Sequence, residues 1–199
     1  MEKFVVTITR QFGSLGRPIA RRLSELLEIE YYDRDIVEET ARKMNKSVSV
    51  ISQEEERMKS KYFFMSYPLG MGAVPDQRDI FQVQSEIINT LADTHSCIIV
   101  GRCSDYVLRN HKNAIHVYIY APYEERVKNC VESLGMDRET AVKMIREVDR
   151  ARETYHKYYA GYAPEDGKSK DIMMNSARLG VEGTARELAA MVRTRFEKG

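Results

Sequence analysis

Short β-branched segments alternate with amphipathic helical segments along this chain, and this alternation constrains the fold more than any other feature. Apolar residues recur at helical spacing after the first such segment, as Ile19, Leu23 and Leu27 do. Strands that alternate with helices pair in parallel, and helices then cover both faces of the sheet. The sequence therefore predicts an α/β fold, with a parallel sheet sandwiched by helices. The predicted strands are residues 4–9, 30–33, 97–100, 115–120 and 172–174.

Helical patterns fill most of the remaining chain, apart from one long loop. The loop, at about 61–75, is apolar at its start and then rich in glycine and proline. Loops of this length in a compact domain are usually functional or disordered. We expect one domain over residues 1–199, with two excursions at about 34–75 and 137–168. The predicted helices after the first are about 34–44, 48–59, 77–93, 124–134, 138–159 and 181–196.

Charge and cysteine content exclude several classes of partner. The 31 basic and 30 acidic residues leave a net charge of +1, so no global field attracts nucleic acid or an anionic membrane. No apolar run approaches the ~20 residues that a membrane-spanning helix needs. The cysteines form no C-x-x-C pair, and no basic-then-apolar leader opens the chain. We expect a cytoplasmic protein that binds small molecules and no nucleic acid or membrane.

A glycine-containing loop, residues 10–17, separates the first predicted strand from the helix that follows. Phosphate needs converging backbone N–H groups, and glycines let a loop curl without side-chain clashes. The helix N-terminus adds a partial positive charge and further amides. An ordinary glycine turn is the alternative interpretation. The anion site that we predict is formed by Gly13, Ser14, Leu15, Gly16, Arg17 and Pro18.

This loop departs from the P-loop pattern G-x-x-x-x-G-K-[ST] at three positions. Aligned on Gly16, the chain has Gln11 at the first glycine, Arg17 at the lysine and Pro18 at the Ser/Thr. Arg17 can still hold a phosphate, in a forked geometry. Pro18 suits the first turn of a helix, but it lacks both an amide and a hydroxyl for Mg²⁺.

Several segments, in order over nearly the whole chain, resemble the cytidylate-kinase-like proteins. Residues 8–17, with Tyr31-Tyr32-Asp33 one helix later, are similar to the family's opening, in which arginine commonly replaces the P-loop lysine. Gly101-Arg102-Cys103 resembles its Gly-Arg-Asp, and Asp149-Arg150-Ala151-Arg152 resembles the Asp-Arg-x-Arg of its lid. Residues 171–176 and 179–182 resemble its last strand and the start of its last helix.

The resemblance implies a P-loop NTPase fold of the nucleoside-monophosphate-kinase type, with a monophosphate-binding insertion at 34–75 and a lid at 137–168. It implies phosphoryl transfer from ATP, with Mg²⁺, to a nucleoside monophosphate, with CMP or dCMP as the leading acceptor. Cys103 stands where the family has an acidic residue near the acceptor nucleoside, which weakens the case for CMP. Pro18 and Gln11 favour a non-catalytic nucleotide- or phosphate-binding module instead, and a kinase of another small metabolite is a further alternative.

Arginine is suited to phosphoryl transfer because it stays charged and offers paired donors to the phosphoryl oxygens. Arg102 follows a predicted strand directly, at the edge where α/β sheets bind ligands, so we expect it to hold the acceptor phosphate. On the predicted lid helix, Arg150 and Arg152 point in different directions if the helix is straight. Asp149 would orient an arginine. The alternative for this segment is a solvated helix face. The predicted catalytic residues are Arg17, Arg102, Asp149, Arg150 and Arg152.

Two carboxylates and one further arginine complete the predicted acceptor site. Asp33 ends the second predicted strand, where it either contacts the acceptor or a Mg²⁺-bound water, or caps the next helix. Asp105 follows Gly101 by four residues and carries the same two alternatives. Arg42 is our candidate for the phosphate arginine of the insertion.

Other side chains are given structural interpretations. The four histidines show no metal-ligand spacing, so no metal site formed by the protein alone is predicted. Tyr155 and Tyr159, at helical spacing, are expected to pack onto the core. The apolar 61–75 segment could also bury itself in a homodimer.

Overall fold

A computed structural model describes residues 2–33, 36, 42 and 75–196 of the chain. A 3₁₀ turn at Gly167–Ser169 accompanies the strands and helices. The helices are α1 (Gly16–Leu27), α2 (Pro75–Thr94), α3 (Ser104–Val107), α4 (Tyr123–Leu134), α5 (Arg138–Ala160) and α6 (Ser176–Phe196). The strands are β1 (Val5–Arg10), β2 (Glu30–Tyr32), β3 (Cys97–Val100), β4 (Ala114–Tyr120) and β5 (Ile172–Asn175).

The five strands form one parallel sheet in the order β2-β3-β1-β4-β5. β1 lies at the centre, where Val5 pairs with Cys97 of β3 and with Ala114 of β4. The strands are parallel, so their carboxyl ends lie at one edge of the sheet. The loop after β1, Asp33 after β2 and Gly101 after β3 therefore share the edge at which α/β sheets bind ligands.

Helices cover both faces of the sheet, which confirms the predicted fold class. Val6 and Ile8 of β1 pack with α1 and α6 on one face. Val5, whose side chain points the other way, packs with Ile88 of α2 on the opposite face. Burial on both faces explains why β3, with the sequence CIIV, is apolar throughout rather than alternating.

The predicted bounds of the strands, and of α2, α4 and α5, differ from the observed ones by at most two residues. α6 begins at Ser176 rather than at 181, because the helical segment spans a break at Gly180 (φ 63°, ψ −169°). Helix α3 was not predicted, since four residues are too few to show a period. The predicted helices at 34–44 and 48–59 and the 61–75 segment lie outside the described residues, except for Ile36 and Arg42.

Helices α4 and α5 pack against each other beside the loop that follows β1. Their buried side chains, with Val127 and Ile145 among them, form a third apolar cluster that also contains Phe12 from the loop. α5 is a continuous helix of 23 residues and occupies most of the predicted lid segment. Among the described residues, no helix is both long and apolar enough to cross a membrane.

Candidate active site

The loop between β1 and α1 turns sharply at two residues with left-handed backbone. Gly13 has φ 77° and Leu15 has φ 59°. A Cβ atom at Gly13 would lie 2.8 Å from the carbonyl oxygen of Arg126, because α4 packs directly on the loop. Glycine is therefore required at position 13 both for its conformation and for its small size.

Hydroxyl groups hold the loop backbone in place. The Ser14 hydroxyl lies 2.9 Å from the carbonyl oxygen of Gln11 and 3.2 Å from that of Ile119. The Ser176 hydroxyl donates to the carbonyl oxygen of Ser14 at 2.7 Å. α1 starts at Gly16 without a side-chain cap. Its first amides have no acceptor within the helix, which is the arrangement that anions use.

Asp33 lies among arginines at the mouth of this loop. Arg17 donates from Nε to Oδ2 of Asp33 at 2.5 Å, and Nη2 of Arg10 lies 3.7 Å from Oδ1. The Asp33 side chain is only 5% exposed. Burial tends to raise the pKa of Asp33, but the charges of Arg10, Arg17 and Arg102 outweigh it and hold the pKa below its usual value. Asp33 is thus an ionised counter-charge for the arginines.

The segment after β3 brings Arg102 to the same place through a strained backbone. Gly101 has φ 79°, and a Cβ atom there would lie 2.1 Å from Nη1 of Arg10. Arg102 and Cys103 follow with φ 59° and 51°, two consecutive non-glycine residues in the left-handed region. Arg102 is buried, and its charge acts on Asp33. The predicted Arg102 and Asp33 therefore lie together with the loop.

The α5 helix contributes Asp149 and Arg152. Asp149 accepts from the amide of Phe12 at 2.8 Å and pairs with Arg126 of α4, which also donates to the carbonyl oxygen of Phe12. Arg152 donates from Nη1 to the carbonyl oxygen of Arg10 at 3.0 Å. Burial, and then repulsion by Arg10, lowers the pKa of Arg152 to about 9, so it remains cationic at neutral pH.

Two predicted site residues, Arg150 and Asp105, lie away from this group. Arg150 is exposed on α5, on the side of the straight helix that faces away from the loop. Arg42 is exposed and helical. Asp105 is buried, and its carboxylate binds His156 and Lys170 rather than facing the loop.

Sequence reasoning missed two arginines of the site. Arg10 is the last residue of β1, and Arg126 lies one turn into α4. Arg10 is the first residue of the predicted loop, residues 10–17. Its position directly after the first predicted strand was therefore a signal that the sequence offered. No spacing or motif marks Arg126, because its partners Asp149 and Phe12 are distant in sequence.

An open pocket of about 370 Å³ lies beside the loop. The loop forms its floor, and Arg152 and the side chains of α1 and α4 form its walls. Binding pockets for small molecules are typically ~300–1,000 Å³ in volume. The helix residues that line it are Arg17, Pro18, Arg21, Arg22, Glu25, Asn129, Ser133 and Leu134.

Comparison with solved structures shows the fold. An uncharacterized protein from Eubacterium ventriosum has 24% identity and a TM-score of 0.74, over 97% of this chain and 100% of that chain. A shikimate kinase from Acinetobacter baumannii in complex with shikimate has 14% identity and a TM-score of 0.55, over 98% and 96%. A gluconokinase from Sinorhizobium meliloti has 12% identity and a TM-score of 0.54, over 98% and 96%.

No curated protein sequence matches this chain. A model of the cytidylate kinase-like family, however, matches residues 5–178, which include the loop, Asp33, Arg102 and the α5 residues. The match covers most of the chain. The chain belongs to the cytidylate kinase-like family and has the fold of the P-loop kinases.

Proposed function

We propose that this chain transfers the terminal phosphoryl group of ATP to a nucleoside monophosphate, with CMP or dCMP as the leading acceptor. The family and the fold support phosphoryl transfer in general. The observation that carries the proposal is the convergence of Arg10, Arg17 and Arg102 on Asp33 beside the loop. Such a concentration of positive charge matches the charge spread over a transferring phosphoryl group.

The loop and the adjoining pocket are suited to ATP. The loop curls at Gly13, and the first amides of α1, which have no acceptor within the helix, would bind the phosphates. The pocket alongside has room for the nucleoside. Arg152 lines the same pocket and bonds the backbone of Arg10. It is therefore the lid arginine best placed to meet the phosphates.

Asp33 acts as a counter-ion that the substrate replaces. Its carboxylate accepts from Nε of Arg17, a donor that a phosphate oxygen would use. When a triphosphate binds, we expect Arg17 to exchange the carboxylate for the phosphate without moving far. Arg102, on the rigid sheet edge, would hold the acceptor phosphate.

The residues at the loop offer a Mg²⁺ ion a single carboxylate ligand. Mg²⁺ usually takes one or two carboxylates together with waters and substrate phosphates. Asp33 would supply the carboxylate, while Pro18 offers no hydroxyl. No group of three or more acidic, histidine or cysteine side chains able to hold a metal occurs within the described part of the chain. A bound Mg²⁺ would neutralise part of the phosphate charge, and the arginines would neutralise the remaining charge.

A non-catalytic nucleotide-binding module is the competing proposal. Gln11, at the first glycine of the P-loop pattern, uses its side-chain oxygen to accept from the amide of Ala121 at 3.2 Å. The position therefore serves the structure of the loop, and this chain could bind ATP without turnover. A third proposal is a kinase of another small metabolite, because Cys103 replaces the acidic residue and the structural neighbours include shikimate kinases and a gluconokinase.

The test is a panel of acceptors. The protein is incubated with ATP and Mg²⁺ and, one at a time, CMP, dCMP, other nucleoside monophosphates, shikimate and gluconate, and ADP release is followed. We expect release with CMP or dCMP above the rate without acceptor. Release only with shikimate or gluconate would favour the metabolite kinase. ATP binding by calorimetry without release on any acceptor would favour the module.

A further inference from the structure

A buried ionic network surrounds Asp105, which follows Arg102 by three residues in the chain. The carboxylate of Asp105, in α3, accepts from Nζ of Lys170 at 2.6 Å and lies 3.0 Å from Nε2 of His156 in α5. The exposed fractions of the side chains are 1% for Asp105, 0% for Lys170 and 5% for His156. The other ring nitrogen of His156 lies 2.9 Å from the carbonyl oxygen of Tyr162.

The network joins three separate parts of the chain. Asp105 belongs to the short helix that starts directly after Arg102 and Cys103, His156 to the helix that carries Arg152, and Lys170 to the segment that leads into β5. A buried charge holds its partners firmly, because losing one of them would leave the other charge unpaired in the interior. The position of α3 is thereby tied to both segments.

The backbone that Asp105 follows is strained. Arg102 and Cys103 both adopt left-handed conformations that side chains rarely take. Such strain persists only when the surrounding structure over-determines it, and it is found mainly at functional sites. β3 holds the segment from one side, and α3, anchored by Asp105, holds it from the other.

We infer that Asp105, through its pairing with Lys170 and His156, is a positioning residue that holds Arg102 toward Asp33 and the acceptor. The inference deepens the proposed function and rests on it, because the role of Arg102 in acceptor binding is part of that proposed function. The geometry assigns Asp105 to the support of the acceptor site rather than to contact with the acceptor.

The first test needs no substrate. The ¹⁵N relaxation of the Arg102 Nε–H group, assigned by its loss in Arg102→Ala, is compared between wild type and Asp105→Asn. His156→Gln serves as a second variant, because it leaves the Asp105–Lys170 pair intact if Asp105→Asn does not fold. Val192→Ala, on the buried face of α6, is the control for general loss of stability. We expect Arg102 to become more mobile in the two network variants and not in Val192→Ala.

The second test is a double-mutant cycle on the acceptor KM. Residues in one contacting network are commonly coupled strongly enough to change a binding constant by about 10-fold. We therefore expect Asp105→Asn, in an otherwise wild-type protein, to raise the CMP KM by about 10-fold. The ATP KM of Asp105→Asn should stay within about twofold of the wild-type value, because the proposed role of Arg102 is to bind the acceptor and not ATP. In the Arg102→Ala background, Asp105→Asn should change the CMP KM little.

The outcomes separate this inference from the proposed function. An Arg102 that is as rigid in Asp105→Asn and His156→Gln as in wild type overturns the inference. So does an equal rise in the CMP KM with and without Arg102, or an equal effect of Val192→Ala. A mobile Arg102 in a protein whose wild type phosphorylates no monophosphate supports the positioning role and rejects the proposed acceptor.

Discussion

At the scale of single residues, Asp33 decides how the positive charge of the site is held. Three arginines act on its carboxylate, and its pKa is lowered although burial opposes ionisation. Like charges close together in a half-buried site repel strongly unless a counter-charge lies between them. Asp33 therefore stabilises the unliganded protein, and a bound anion could take its place.

Asp33→Asn should lower the melting temperature at pH 7. Because the folded pKa is below the ordinary value of ~3.9, the carboxylate stabilises the fold above that pH and loses its effect as pH falls through the folded pKa. The difference from wild type should therefore shrink as thermal melts are moved from pH 7 toward pH 3. Sulfate should restore the variant more than wild type. An exposed control, Asp93→Asn, should show neither effect, and equal melting of Asp33→Asn and wild type at pH 7 would reject this role.

Arg152 and Arg150 form a matched pair on one helix. Arg152 contacts the backbone of the loop, whereas Arg150 is exposed on the other side. If turnover exists, Arg152→Ala should lower kcat by ~10²–10³, the usual effect of losing charge stabilisation in the transition state. Arg150→Ala should keep the wild-type kcat, although the family motif includes it. Full kcat in Arg152→Ala would mean that Arg152 supports the loop backbone without acting on the transition state.

At the scale of elements, α5 connects two buried regions. Its first half packs with α4 and Phe12, and its second half carries His156 of the Asp105 network. A lid that closed as one unit over 137–168 would have to break the buried contact between His156 and Asp105. Closure is therefore expected in the first part of this segment, and the second part should act as its fixed end.

Amide hydrogen exchange with and without a bisubstrate analogue tests this division. Kinases close to exclude water from the transferring phosphate, so protection should rise in peptides from 137–152 and from the 34–75 insertion. It should change little from His156 to Lys170. A rise that extends evenly to Lys170 would show that the whole segment moves, and a rise confined to residues 10–20 would argue against any lid.

At the scale of the whole molecule, ATP binding should raise the free energy of unfolding, because a ligand that binds only the folded state stabilises it by mass action. At 100 times its Kd, ATP contributes ~2.7 kcal/mol. The melting temperature of a chain of this size shifts by ~2–4 °C per kcal/mol, so ATP should raise it by about 5–11 °C.

Arg17→Ala should remove most of that rise at the same ATP concentration, since a charged hydrogen bond is worth ~1.5–3 kcal/mol. Arg186→Ala, on the exposed side of α6, is the control and should keep the full rise. The measurement is a thermal melt with and without ATP and Mg²⁺. An undiminished rise in Arg17→Ala would show that ATP binds elsewhere.

Local pattern was sufficient for the sheet and for the longer helices that the structure describes, but not for the four-residue helix α3. Strand and helix periods depend on neighbouring residues, so the five strands and the loop before α1 could be predicted from the sequence. Two-sided burial of the sheet was predicted because strands that alternate with helices pair in parallel and have helices on both faces. The family motifs added Arg102, Asp149 and Arg152 to the predicted site.

What only the tertiary structure decided is how distant residues meet. Asp149 reaches the amide of Phe12 across 137 positions, and Lys170 reaches Asp105 across 65. Such pairs have no sequence period, because packing of α5 and the β5 segment, not local geometry, brings them together. The same packing turned Asp105 inward, away from the acceptor role predicted for it, and brought the unmarked Arg126 to the loop. Residue types and spacing thus determined which elements form, while packing between elements decided which charges gather at the loop after β1 and which are buried around Asp105.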